Sequence, residues 1–148
     1  MKKAVVIFML LGCLSANGAE IVSEESLKAA FIFNFLKFVS WNDDRPAYEI
    51  CIPEDDDLRE VATALLKGKT VNDRQIEVVN RTNDCHVLVA SSFPNSDTTL
   101  TIGPLEQGAM IEFMAVDNKL KFAINIAHIR KSKLKISSQL LKLAVTKE

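Results

Sequence analysis

Cys85-His86-Val87-Leu88-Val89-Ala90 is the most β-like run in the chain. From Val87 onward it is continuously apolar, without the polar alternation of a half-exposed strand. Such a run suits a strand covered on both faces, at the centre of a largely parallel sheet. Upstream, Tyr48-Glu49-Ile50-Cys51-Ile52 reads as another strand, stopped by Pro53. A helix follows from Leu58 to Lys67, preceded by the acidic run Glu54-Asp55-Asp56-Asp57 and closed by Gly68 at the C′ position. Val71 and Gln75-Ile76-Glu77-Val78-Val79 alternate as a strand does.

Downstream, Ser91 to Thr99 reads as a loop and Leu100-Thr101-Ile102 as a short strand. Met110 to Val116 and Lys119 to Ile126 flank Asp117-Asn118, the pattern of a β-hairpin. The end of the chain, Ala127 to Val145, is basic and amphipathic and reads as a C-terminal basic helix. Near the other end, Ser23 stands as an N-cap before Glu24 and Glu25. The helix it opens carries Phe31, Phe33, Phe35 and Phe38 and is apolar nearly all round, so it is buried on more than one side. These elements predict an α/β fold in one domain. Its sheet is mostly parallel with a C-terminal antiparallel hairpin, and helices flank it.

Composition agrees. A chain of 148 residues that is 48% hydrophobic and 25% charged can build a packed core, which excludes a disordered tail or a linker. A formal net charge of −1 leaves no excess of cations to displace counterions, so the composition argues for no nucleic-acid partner.

Residues 1–18 have the layout of a signal peptide: Lys2-Lys3, an apolar run from Ala4 to Leu14, then small residues. Ala16 and Gly18 place cleavage before Ala19, leaving 19–148 as the domain. The apolar run is too short to span a bilayer. Leu10-Leu11-Gly12-Cys13 offers a second reading, a lipoprotein anchored through Cys13. Removal of 1–18 takes away two lysines and no acid, which moves the net charge to −3. It also leaves one cysteine pair. In an oxidising compartment a lone pair suggests a disulfide between Cys51 and Cys85; the alternative is two buried thiols.

The chemistry-bearing patterns fail one by one. Gly68-Lys69-Thr70 lacks the earlier glycine of a phosphate loop and follows a helix instead of opening one. The acidic run lacks the glycine and closing glutamate of a calcium loop. Cys85 and His86 are neighbours on a strand and point to opposite faces, so they make no thiol–imidazole pair. Two histidines and two cysteines at long intervals do not match zinc spacing. His86 reads as a packing or hydrogen-bonding residue. No catalytic residue, cofactor-binding residue or metal ligand emerges, and an enzyme is disfavoured. For a partner-binding surface, the apolar Phe38 and Trp41 and the C-terminal basic helix are the candidates.

Leu27-Lys28-Ala29-Ala30-Phe31-Ile32-Phe33-Asn34-Phe35-Leu36-Lys37-Phe38-Val39-Ser40-Trp41 resembles the opening signature of the YfiR family of bacterial periplasmic proteins. The resemblance continues through Ile50-Cys51-Ile52, Gly68-Lys69-Thr70-Val71, Arg74-Gln75-Ile76 and Cys85-His86-Val87-Leu88-Val89. Further on it includes Gly108-Ala109-Met110-Ile111-Glu112-Phe113, Phe122-Ala123-Ile124-Asn125-Ile126 and the stretch from Leu134 to Ala144. It implies an α/β sandwich that forms a homodimer and catalyses nothing. It further implies a periplasmic repressor that holds an inner-membrane diguanylate cyclase inactive, and an outer-membrane lipoprotein that sequesters the repressor. Cyclic-di-GMP signalling and biofilm formation are the expected outputs. Cys51 and Cys85 carry over as a structural disulfide. A second cysteine pair found in some relatives has no counterpart here, and Ala109 stands where a glycine is more usual. A ligand-binding sensor module serving another membrane receptor, such as a histidine kinase, is the alternative.

Overall fold

The computed structural model describes residues 22–145, so the signal-peptide and lipidation readings lie outside the described residues. Helix α1 spans Glu24–Phe38, and the Ser23 hydroxyl caps it by accepting the Ser26 N–H at 3.0 Å. It buries Ala29, Ile32, Phe35 and Leu36 completely. Phe31 and Phe35 meet Phe113 and Phe122 in one aromatic cluster; the Phe35 and Phe122 ring centroids lie 5.1 Å apart, edge to face. Phe33, off that face, packs under the Lys37 ammonium at 4.5 Å. The helix is therefore covered on several sides, as its composition demands.

The chain continues through β1 (Val39–Ser40), β2 (Ala47–Cys51), α2 (Asp56–Leu66), β3 (Thr70–Val71), β4 (Arg74–Val79), β5 (Val87–Val89) and β6 (Leu100–Ile102). A 3-10 turn at Leu105–Gln107 precedes β7 (Ile111–Val116) and β8 (Lys119–Ile124). Then come α3 (Ile126–Lys131), β9 (Lys135–Ile136) and α4 (Ser138–Leu143). Seven strands form one sheet in the order β3-β4-β2-β5-β6-β7-β8. β4, β2, β5, β6 and β7 run parallel, and the antiparallel pairs lie at the two ends. β5 is the middle strand of the seven, and Val87 and Leu88 on it are buried. The expected α/β class, the mostly parallel sheet and the late hairpin are all present.

Local chemistry explains the corners. Asp55 accepts the Leu58 N–H at 3.0 Å and caps α2, and Gly68 at φ +79° ends it in the left-handed conformation. Asp117 and Asn118, with φ of +53° and +65°, form the two-residue turn of the β7–β8 hairpin. Cys51 and Cys85 are buried and disulfide-bonded, with Cα atoms 5.9 Å apart, and so clamp β2 to the entry of β5.

Three expectations need correction. The stretch Val71 to Val79 is not one strand: Asn72 and Asp73, at φ +53° and +64°, turn it into the tight β3–β4 hairpin. Short polar side chains tolerate this conformation without glycine. The β5 strand begins at Val87 and excludes Cys85 and His86, because Asp84 takes a positive φ of +59° just before them. The C-terminal segment is not a single helix. Ser132 ends α3, Ser137 caps α4, and β9 between them pairs antiparallel with β1 in a separate two-stranded sheet. A strand that forms through a distant partner leaves no periodic signal in its own two residues.

One glycine is required by close approach. A Cβ at Gly103 would run into the Ala90 carbonyl oxygen and the Phe93 ring. Gly103→Ala is expected to destabilise the protein by about 2–3 kcal/mol, measured by urea unfolding. A change below about 0.5 kcal/mol would show that the β5 and β6 ends have room to part.

Candidate functional site

A polar network lies where the β1–β2 connection meets the entry of β5. His86 is only 1% exposed, and both of its ring nitrogens are engaged. The Glu49 backbone N–H donates to Nδ1 at 2.9 Å, while Nε2 lies 2.9 Å from Asp43 Oδ2. A backbone N–H can only donate, so Nδ1 is an acceptor and the neutral ring carries its proton on Nε2, shared with Asp43. The His86 backbone N–H in turn donates to the Glu49 carbonyl at 2.9 Å. The imidazole thus stands in for a main-chain carbonyl and adds a rung to the β2–β5 ladder.

Charges surround this rung. Arg74 on β4 donates to Asp43 Oδ1 and to the Asp43 carbonyl, each at 2.6 Å, and stacks over the Tyr48 ring at 4.8 Å. The Glu49 carboxylate pairs with Arg45 and Arg81, and both arginines also donate to the Asp84 carbonyl. Burial pushes the His86 pKa below the ordinary histidine value; Arg45 and Arg74 add to that effect, and the Asp43 charge opposes it without cancelling it. Asp43 feels burial raising its pKa, but the hydrogen bond from Arg74 and the interaction with His86 outweigh it, and the net shift is downward. His86 packs edge-on against both Trp41 and Tyr48, whose own rings are tilted by 57°, with all three centroids 5.2 to 5.6 Å apart.

Beside this network opens a cleft of about 920 Å³, between the loop after β1 and the segment that leads into β9. Trp41, Asp43, Arg45, Lys133, Leu134 and Lys135 are among the residues that line it. Asp43 is spent on Arg74 and His86, and Arg45 on Glu49 and Asp84. Lys133 approaches Asp97 only at 4.0 Å, with both side chains mostly exposed. The cleft therefore presents an aromatic wall beside lysines.

Of the candidates for a partner surface, Trp41 is 9% exposed and lies largely in the core, but it forms part of the cleft wall. Phe38 is half-buried against the core, and its carbonyl accepts the Ser137 N–H at 2.8 Å. The basic C-terminal segment supplies the opposite wall through Lys133 and Lys135. Trp41 and that segment are thus brought together, and Phe38 lies outside the lining. Sequence reading missed Asp43 and Arg74, because 31 residues separate the two members of that pair.

The arrangement holds structure in place more readily than it moves protons. Both nitrogens of His86 are committed, so the ring has no free lone pair to act as a general base. The disulfide removes both cysteine thiols from nucleophilic chemistry. Among the described residues, no group of three or more His, Cys, Asp or Glu is placed to hold a metal ion. Nor is any helix among them long and apolar enough to cross a membrane.

Fold and site together define a disulfide-clamped α/β domain with an aromatic and basic cleft at one end of its two-stranded ribbon. The chain belongs to the YfiR/HmsC-like family, whose model matches residues 25–145. No curated protein sequence matches it.

Proposed function

We propose that this protein is a periplasmic regulator that represses an inner-membrane diguanylate cyclase, and so lowers cyclic-di-GMP and biofilm formation. The observation that carries the reading is the family match across residues 25–145. The buried Cys51–Cys85 disulfide supports it, because such crosslinks persist in oxidising compartments. The regulator acts by binding, as a homodimer, the inactive state of the cyclase's periplasmic region more tightly than the active one. Equal affinity for both states would shift nothing. Moving a receptor from almost fully active to almost fully silent takes about 10⁴-fold discrimination. An outer-membrane lipoprotein that competes for the regulator would release the cyclase.

The test is capture of solubilised host membrane proteins on the tagged protein, expressed with its own leader, with mass spectrometry of what is retained. Recovery of a diguanylate cyclase is expected, together with raised cyclic-di-GMP in a deletion strain. Recovery of a different receptor, with cyclic-di-GMP unchanged by the deletion, would overturn the reading.

A further inference from the structure

One wall of the cleft beside Trp41 is cationic and carries no acid of its own. From Ile126 to Lys135 the chain carries Arg130, Lys131, Lys133 and Lys135 and no acidic residue, although the whole chain is slightly acidic. Lys133 and Lys135 stand at the mouth of the cleft. The sole carboxylate near Lys133 among the described residues is the exposed Asp97 at 4.0 Å, and none lies within ion-pair distance of Lys135. Every other charged group lining the cleft is already paired, Asp43 with Arg74 and Arg45 with Glu49. The wall also contains a donor without an acceptor: the Trp41 indole N–H is buried and has no hydrogen-bond partner among the described residues. The site thus has cations to offer, the small exposed edges of Trp41 and Leu134 beside them, and a shortage of acceptors.

The recess at the carboxyl ends of β2 and β5 is the contrasting case. Four of its five acids are spent locally, Glu54 on Ser91, Asp55 on the Leu58 N–H, Asp56 on Arg59 and Glu112 on the Leu105 N–H, and Asp57 alone has no partner among the described residues.

We infer that the cleft between Trp41 and Lys133–Lys135 is the docking groove for an acidic segment of the protein's partner. This rests on the reading of the protein as a binding regulator, and it names the surface and the chemistry of what that surface takes. Carboxylates of the partner pair with Lys133 and Lys135, while apolar side chains beside them cover Trp41 and Leu134. Such pairing at a solvent-accessible rim sets encounter rate and selectivity and weakens as salt rises.

Trp41 is the only tryptophan, so its fluorescence reports on the cleft. The probe is a short poly-glutamate peptide titrated into the purified protein, with poly-lysine as the counter-probe. Poly-glutamate is expected to perturb Trp41 emission in a salt-sensitive manner, and Lys133→Glu/Lys135→Glu to weaken its binding by about tenfold or more. Lys119→Glu/Lys121→Glu, on β8 away from the cleft, should bind like the parent. A far-ultraviolet spectrum matching the parent certifies that each variant is folded.

The same variants are then tested for cyclase capture. Capture by the parent but not by Lys133→Glu/Lys135→Glu supports the groove. Capture by both alike overturns the groove and leaves the regulatory reading standing. Peptide binding that depends on Lys133 and Lys135, with no cyclase captured by the parent, keeps the groove and overturns the cyclase as partner. Peptide binding that is absent, or indifferent to the lysines, overturns the groove.

Discussion

Replacing Cys51 and Cys85 together by alanine is expected to lower the unfolding free energy by about 3–4 kcal/mol. The crosslink joins residues 34 apart, and in the chain-entropy model a loop of that size restricts the unfolded chain by about this amount. The closed loop contains α2, β3 and β4, the whole excursion from β2 to one side of the sheet before the chain returns to β5 on the other. Without the bond, that excursion must be held by strand pairing and by the packing of α2 alone. For a domain of ordinary stability this is about a fifth or more of the total. Urea unfolding of the parent and the double variant measures the loss. Reductant should cost the parent a similar amount and the variant nothing. A loss below about 1 kcal/mol would show that the unfolded chain gains little freedom when the link is absent.

His86→Ala is expected to destabilise by about 3 kcal/mol, with two sources. The Glu49 N–H, inside the β2–β5 ladder, loses its acceptor, a cost of about 1–3 kcal/mol for a buried donor. Removal of the ring also opens a cavity against Trp41 and Tyr48. His86→Asn should recover part of the loss, because its side-chain oxygen can take the place of Nδ1. If alanine and asparagine are equally damaging, the cavity dominates and the extra rung is a minor contributor.

The same residue sets an acid limit. Its folded pKa lies below the unfolded value of about 6.5, so between the two the unfolded chain binds more protons. Stability is then fully present above about pH 6.5 and is lost as pH falls through the folded value. Protonation places a hydrogen on Nδ1, where the Glu49 N–H already points, so the rung breaks. Asp43, also lowered, adds a further loss in stronger acid, once pH falls below the ordinary aspartate range. Unfolding free energies across neutral to mildly acidic pH should fall with acid in the parent and less steeply in His86→Asn. Parallel slopes would show that other groups carry the acid sensitivity.

Much of the architecture was legible in the residues, and particular elements show why. Val87 to Val89 could be placed at the centre of the sheet because a strand buried on both faces must be apolar throughout. The Asp117-Asn118 hairpin was legible because a two-residue turn writes its left-handed requirement into two adjacent positions. Asp55 and Gly68 bracket α2 for equally local reasons. The disulfide could be expected because Cys51 and Cys85 are the two cysteines outside the segment read as a leader, although sequence left open that they were free.

The cleft and the network behind it were not legible. Asp43, His86 and Arg74 carry no shared spacing, and what unites them is that β4, β2 and β5 are neighbours in space. The C-terminal stretch misled because its composition suits one amphipathic helix. The serines at 132 and 137 and the pairing of Lys135–Ile136 with Val39–Ser40 break that helix. Sequence by itself determined the elements whose causes are local: helix caps, tight turns and apolar runs. Tertiary structure alone decided which distant groups meet, because hydrogen bonds, ion pairs and the walls of a cleft depend on separation in space, and separation along the chain does not fix it.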